Sequence, residues 1–244
     1  MISRREFLAA ATCAVSIGGN VFAADMLAEA PANAGPKVYG ADFTGPLPSS
    51  LYLRGRLPPS GSEEATARRI INAAPRSTPL AVMRYFAALR DVNRDGEAYN
   101  AGWASRWNPV IVEFYRATDD DHSGDRTPWC AAFLNWCLER CGYDGGTRST
   151  VSGSFRKAGG LTRSPSVGDV VVFRRGNTGC RGHVALYLGR SGSNYRVIGG
   201  NQTDIHGHSS INIRDVPFPG SGLALHSFHR ISAFRPAVSP RPSC

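Results

Sequence analysis

The 244-residue chain lacks the signatures of several functional classes. No apolar run is long enough to cross a membrane: the best candidate, residues 9–23, falls short of the ~20 residues a spanning helix needs. There is no HExxH pair, so the common helical zinc site is missing. His206 and His208 alternate in "DIHGH" near Asp204, but no third zinc ligand is evident. The acidic run Asp119–Asp121 lacks the spaced ligands and closing glutamate of an EF-hand loop and reads as a solvated turn. No internal repeat is present, and no nucleic-acid motif accompanies the formal charge of +9, which comes mostly from scattered arginines. Neither a metal nor an organic cofactor is expected, and nucleic acid is not an expected partner.

What is present begins at the N-terminus. Arg4 and Arg5 precede Phe7, Leu8 and a mildly apolar stretch of small residues ending in "VFAADM". This reads as a twin-arginine export signal with cleavage after Ala23. The expected partner in transit is the twin-arginine export machinery. The expected location is the periplasm or the outside of the cell, with no integral membrane segment after processing. Cys13 lies too early in the apolar stretch to suit a lipid anchor. Removing Arg4, Arg5 and Glu6 lowers the formal charge to +8, which still favours anionic polymers such as cell-wall peptides. An oxidising compartment permits disulfides among Cys137, Cys141, Cys180 and Cys244; Cys141 with Cys180 is one possible pair, though spacing assigns none.

Residues 24–77 read as a Pro/Gly/Ser-rich extension or linker, residues 78–236 as the main domain, and residues 237–244 as a tail. Helical patterns occur in "EEATARRIINAA", "TPLAVMRYFAALRDVN" and "NPVIVEFYRATDD", the last with Asn108 as cap and Pro109 as first residue. In "TPWCAAFLNWCLERCGY", Thr127 is the expected N-cap and Pro128 the first helical residue, with Gly142 as the stop. Cys130 then lies in the first turn, where free N–H groups and the helix dipole favour a thiolate. Five short strands follow, "DVVVF", "HVALYLG", "NYRVIGG", "INIRDV" and "LHSFHRI", separated by Gly, Ser and Asn turns. Helices first and strands second predict an α+β fold with the cysteine helix packed on an antiparallel sheet.

His183 opens the second of these strands and is the candidate base; Ala185 is small and leaves room beside it. Asn201, after the next strand, is the candidate group to orient the imidazole, with Gln202 and Asp204 as nearby substitutes. A thiol, an imidazole and an amide in this order suit acyl transfer through a thioester.

The blocks Pro128–Tyr143, Gly168–Phe173, Gly182–Gly189 and Gly199–Gln202 together resemble the CHAP and NlpC/P60 superfamily of cysteine peptidases and amidases, over roughly residues 78–236. The resemblance implies a papain-like α+β fold with Cys130 as nucleophile, His183 as base and Asn201 as orienting group. It implies a peptidoglycan amidase or endopeptidase whose partners are stem peptides. Two positions depart from the pattern: Gly199 stands where many CHAP enzymes carry a glutamate, and Trp129-Cys130-Ala131 replaces the Asp-Cys-Ser common in NlpC/P60 enzymes. The competing readings are a non-catalytic envelope-binding or assembly protein that keeps the fold, and a zinc hydrolase.

Overall fold

A computed structural model describes residues 57–120, 124–144, 146–177, 179–218 and 220–234. The chain divides into two units, Met1–Lys37 and Val38–Cys244, and all described residues lie in the second. The expected export signal, Cys13, the segment before residue 57 and the tail lie outside the described residues.

Among the described residues, four α-helices precede the main sheet: α1 (Gly61–Ala73), α2 (Pro79–Ala87), α3 (Pro109–Phe114) and α4 (Cys130–Arg140). Each begins where its local chemistry directs. Ser60 and Glu63 form a reciprocal capping box on α1, worth about 1 kcal/mol. Thr78 caps α2 ahead of Pro79, and Asn108 caps α3 ahead of Pro109. Helix α4 differs from expectation. Its N-cap is Trp129, without a side-chain capping bond, and Cys130 itself is the first helical residue. Thr127 and Pro128 instead belong to the approach, and the Tyr115 hydroxyl pins that approach by donating to the Thr127 carbonyl at 2.6 Å. The helix stops as anticipated: Gly142 takes φ +80°, and the N–H groups of Gly142 and Tyr143 close back on Glu139 and Leu138.

Among the described residues, six strands form one antiparallel sheet: β1 (Leu161–Thr162), β2 (Val170–Arg175), β3 (Gly182–Ser191), β4 (Asn194–Thr203), β5 (Ser209–Val216) and β6 (Leu223–His229), in the order β1-β6-β2-β3-β4-β5. Five were legible in the sequence; the two-residue β1 was not. Every residue of α4 except Glu139 is buried, and its apolar side chains join Val170, Val172, Val184, Leu186 and Ile198 in one core between helices and sheet. The opposite face carries a smaller cluster around Val171, Phe173, Ala185, Val197, Val216 and Phe228. Burial on both faces explains why β2 reads as a continuous apolar run rather than an alternating one. The α+β layout with α4 against an antiparallel sheet is therefore present.

The compact domain starts earlier than residue 78. Ala67, Ile70 and Ile71 of α1 belong to the main core. The buried guanidinium of Arg140, at the end of α4, donates to the carbonyls of Asn72 and Ala74 at 2.9 and 2.7 Å. A cation at a helix C-terminus satisfies carbonyls that have no partner within the helix, so Arg140 fastens α1 to the cysteine helix. Among the described residues no helix is long and apolar enough to cross a membrane.

Candidate active site

Helix α4 delivers its first residue to the sheet at close quarters. A side chain on Gly200 would collide with the Trp129 ring at 2.3 Å, and one on Gly199 would meet Ala185 Cβ at 2.9 Å. The glycine pair is thus required by the approach of Trp129 on one face and by the neighbouring strand on the other. Cys130 arrives where β3 and β4 part. Their ladder runs from Ser191↔Asn194 to Leu186↔Ile198 and goes no further toward the start of β3. The N–H of Val184, beyond that last pair, is directed at the Cys130 sulfur, as are those of Cys130 and Ala131. No hydrogen bond joins the Cys130 sulfur to His183: Cys130 belongs to the core between helices and sheet, whereas the imidazole packs on Phe173 of the second cluster.

His183 is 7 % exposed and stacks on Phe173, its partner across β2 and β3. Its Nε2 lies 3.2 Å from Gln202 Oε1. The Gln202 amide has one supported orientation, because its nitrogen faces three acceptors: the Gly199 carbonyl at 3.2 Å, the Asn212 carbonyl at 2.6 Å and Asn212 Oδ1 at 3.1 Å. Gln202 Oε1 must then accept, so Nε2 of the imidazole carries the proton and Nδ1 keeps its lone pair. Asn201 is not the histidine's partner: its Oδ1 accepts from Ser209 Oγ. The reason is a bulge. The β4–β5 register shifts between Gly199 and Gln202, and Asn201 adopts φ +57°. Plain alternation from Gly199 would set Asn201 beside His183; the extra residue turns it away and brings Gln202 onto that face.

The titration behaviour runs against the expected low-pKa thiolate. Burial pushes the Cys130 thiol up, and the three N–H groups and Arg175 only partly offset it. Burial also pulls His183 down, to about 4; Gln202 opposes this, while Arg214 and Arg175 add to it. The resting pair is a neutral thiol and a neutral imidazole. Cys130 is 4 % exposed, so its sulfur is nearly covered. An open cleft of about 430 Å³ does reach His183 and Gln202, with Arg175 and Arg214 on its walls.

A comparison with protein families matches this same region. The CHAP domain model matches residues 122–201. The CHAP match spans about a third of the chain and contains Cys130, His183 and Asn201, ending one residue before Gln202. CHAP domains in general are hydrolases of peptidoglycan. No curated protein matches the chain, and no solved structure does.

Other sequence candidates lie elsewhere. Asp204 uses Oδ1 to accept from the backbone N–H groups of His206 and His208 in an exposed turn. Among the described residues no three His, Cys, Asp or Glu side chains are grouped to hold a metal. Cys130, Cys137, Cys141 and Cys180 are all free thiols.

Proposed function

We propose that this protein is an exported cysteine hydrolase that cleaves amide or peptide bonds of peptidoglycan through a thioester. The observation that supports the reading is the tautomer of His183: with Nε2 donating to Gln202, Nδ1 keeps the lone pair that a base needs, and the mechanism requires the Cys130 sulfur, which has no hydrogen bond to the ring in the resting structure, to turn toward it. The match of the surrounding residues to the CHAP domain supports the substrate class.

In this mechanism Cys130 transfers its proton to His183 Nδ1 as the sulfur attacks the scissile carbonyl, so the nucleophile is activated by its base rather than stored as an ion pair. The N–H groups of Cys130 and Ala131, which face the resting sulfur, stabilise the oxyanion. The imidazolium then protonates the departing amine as the C–N bond breaks. Water, deprotonated by the same ring, cleaves the thioester to a carboxylate and restores the thiol. Gln202 holds the ring's orientation throughout and takes the part the sequence assigned to Asn201.

The test is digestion of purified sacculi. Wild-type protein releases muropeptides, whose masses identify the bond cut, and Cys130→Ala releases none; undiminished release by that variant would remove the mechanism.

A second reading is favoured by one observation, the near-complete cover over a thiol whose pKa burial raises. It makes the protein a non-catalytic envelope binder that retains the fold. Thiol labelling separates the two: slow alkylation that peptidoglycan fragments do not accelerate favours the binder, and alkylation blocked at Cys130 by substrate fragments favours the enzyme.

A further inference from the structure

The C-terminal end of β2 gathers cations in a part of the chain that is poor in acids. The β2–β6 ladder shifts between Val172 and Phe173: Val172 pairs with Ser227 and Phe173 with Leu225, so His226 is an extra residue in β6. Ser227 shares the helix-side face of Val172, and Arg174, two residues further along β2, lies on that side too, opposite Phe173 and His183. The short 3-10 turn Ser152–Lys157 packs on β2 and β3 and brings in Arg156. The Arg156 guanidinium donates to the Gly179 carbonyl and, at 2.8 Å, to the Arg181 carbonyl. Arg174 Nη1 donates to the Gly176 carbonyl at 3.4 Å. Among the described residues neither arginine joins an ion pair. Residues 145–203 contain one acid, Asp169, and residues 216–234 contain none. Asp169 precedes the other end of β2 and accepts there from the N–H groups of Ser166 and Ile231.

Hydrogen bonds orient the imidazole of His226. His229 Nδ1 lies 3.1 Å from the Gly159 carbonyl, which can only accept, so the neutral ring of His229 keeps its lone pair on Nε2. Ser227 Oγ, 2.8 Å from that nitrogen, donates to it. The lone pairs of Oγ then accept from His226 Nδ1 at 2.9 Å. Neutral His226 therefore carries its proton on Nδ1, and a second proton enters at Nε2 of this exposed ring. Burial, Arg156, His229 and Arg174 all oppose that second proton.

We propose that Arg156, Arg174 and His226 form a binding site for a terminal phosphate group, independent of the hydrolase reading. The three side chains come from three separate elements, so donors approach a common ligand from different directions. A phosphate monoester offers three acceptor oxygens to such a set, where a carboxylate offers two. Guanidinium forks suit those oxygens. A dianion among the cations also removes the opposition to the second proton, and protonated His226 then donates from Nε2 as well. Ligand and proton bind together, each tightening the other.

The experiment follows the imidazole resonances of the full chain by NMR between about pH 5 and pH 8. The probes are sulfate, inorganic phosphate and glycerol 3-phosphate, each against chloride at equal ionic strength. Sulfate keeps its charge over this range, so with it only the protein titrates. Each probe is expected to raise the His226 midpoint by at least about half a pH unit, and sulfate to bind roughly threefold tighter at the acid end of the range than at the alkaline end. Arg174→Gln, at an exposed position, is expected to remove most of the shift, and Arg156→Gln likewise; thermal unfolding checks that each variant folds. His226→Gln is expected to bind sulfate equally at both ends. Co-sedimentation with phosphatidic acid vesicles separates the sources of the phosphate: tighter binding to vesicles than to glycerol 3-phosphate marks a lipid headgroup, the reverse marks a soluble phosphomonoester, and either supports the site. A His226 midpoint that none of the probes moves, or a shift that survives Arg174→Gln, overturns it. No readout involves Cys130, so failure of sacculus digestion leaves the site standing.

Discussion

Gln202 Oε1 accepts from His183 Nε2 at 3.2 Å across a bulge that turns Asn201 away. Two adjacent amides therefore have separable roles. Gln202→Ala is expected to lower kcat/KM on peptidoglycan fragments by roughly 100-fold, in the range of a positioned proton-transfer group. Asn201→Gly, which suits the positive φ, is expected to stay within about threefold of wild type. Steady-state assays of the two variants side by side check the assignment, and a larger loss from Asn201→Gly would reverse it.

The depressed His183 pKa has a stability consequence. The folded protein holds this imidazole neutral down to about 4, whereas the unfolded chain protonates it near 6.5. Between those values the unfolded state binds more protons, so the contribution is full above pH 6.5 and is lost as pH falls toward 4. Glu113 and Glu139, which burial pushes up to about 7, act in the opposite sense. The difference in Tm between wild type and His183→Gln, followed from pH 7 to pH 4, isolates the histidine. Wild type is expected to lose more stability over that interval, and parallel curves would show that residue 183 is not buried neutral.

Gly200 faces the Trp129 ring with no room for a methyl group. Gly200→Ala is expected to destabilise by about 1–3 kcal/mol and to displace the start of α4, lowering both Tm and activity. Gly61→Ala is the control, since nothing lies within 4 Å of its added carbon. Thermal melts of the pair decide the point.

Arg140 binds the end of α1 to the end of α4. A fragment beginning at residue 78 leaves that buried guanidinium without its carbonyl partners, at a cost of roughly 3 kcal/mol, and removes Ile70 and Ile71 from the core. It is expected to show no cooperative unfolding, whereas a fragment beginning at residue 57 does. Circular dichroism during thermal denaturation distinguishes them.

The parts of this molecule legible in the sequence are those governed by short-range chemistry. Asn108-Pro109 started a helix, Gly142 ended one, and β-branched runs marked five strands, because caps, turns and apolar periodicity act within a few residues. The entry of α4 was misplaced because Thr127-Pro128 is a sound local start that the long-range packing of Trp129 against Gly200 overrides. The α1 helix was visible, yet its membership of the domain was not, since that depends on Arg140 far along the chain. Cys130 and His183 were found as residue types in order. Gln202 stood in the sequence only as a substitute for Asn201, because a bulge leaves no composition signal that would decide between neighbours. The raised thiol pKa was likewise out of reach: the helix terminus argued for a thiolate, and only the depth of burial reverses the balance.

The backbone N–H of Val184 faces the Cys130 sulfur. The nucleophile is stitched into the backbone pattern of the sheet, in a slot between two diverging strands. On the proposed mechanism the sulfur has to give up that N–H before it can meet a carbonyl, which ties the reactivity of the thiol to the backbone at the start of β3.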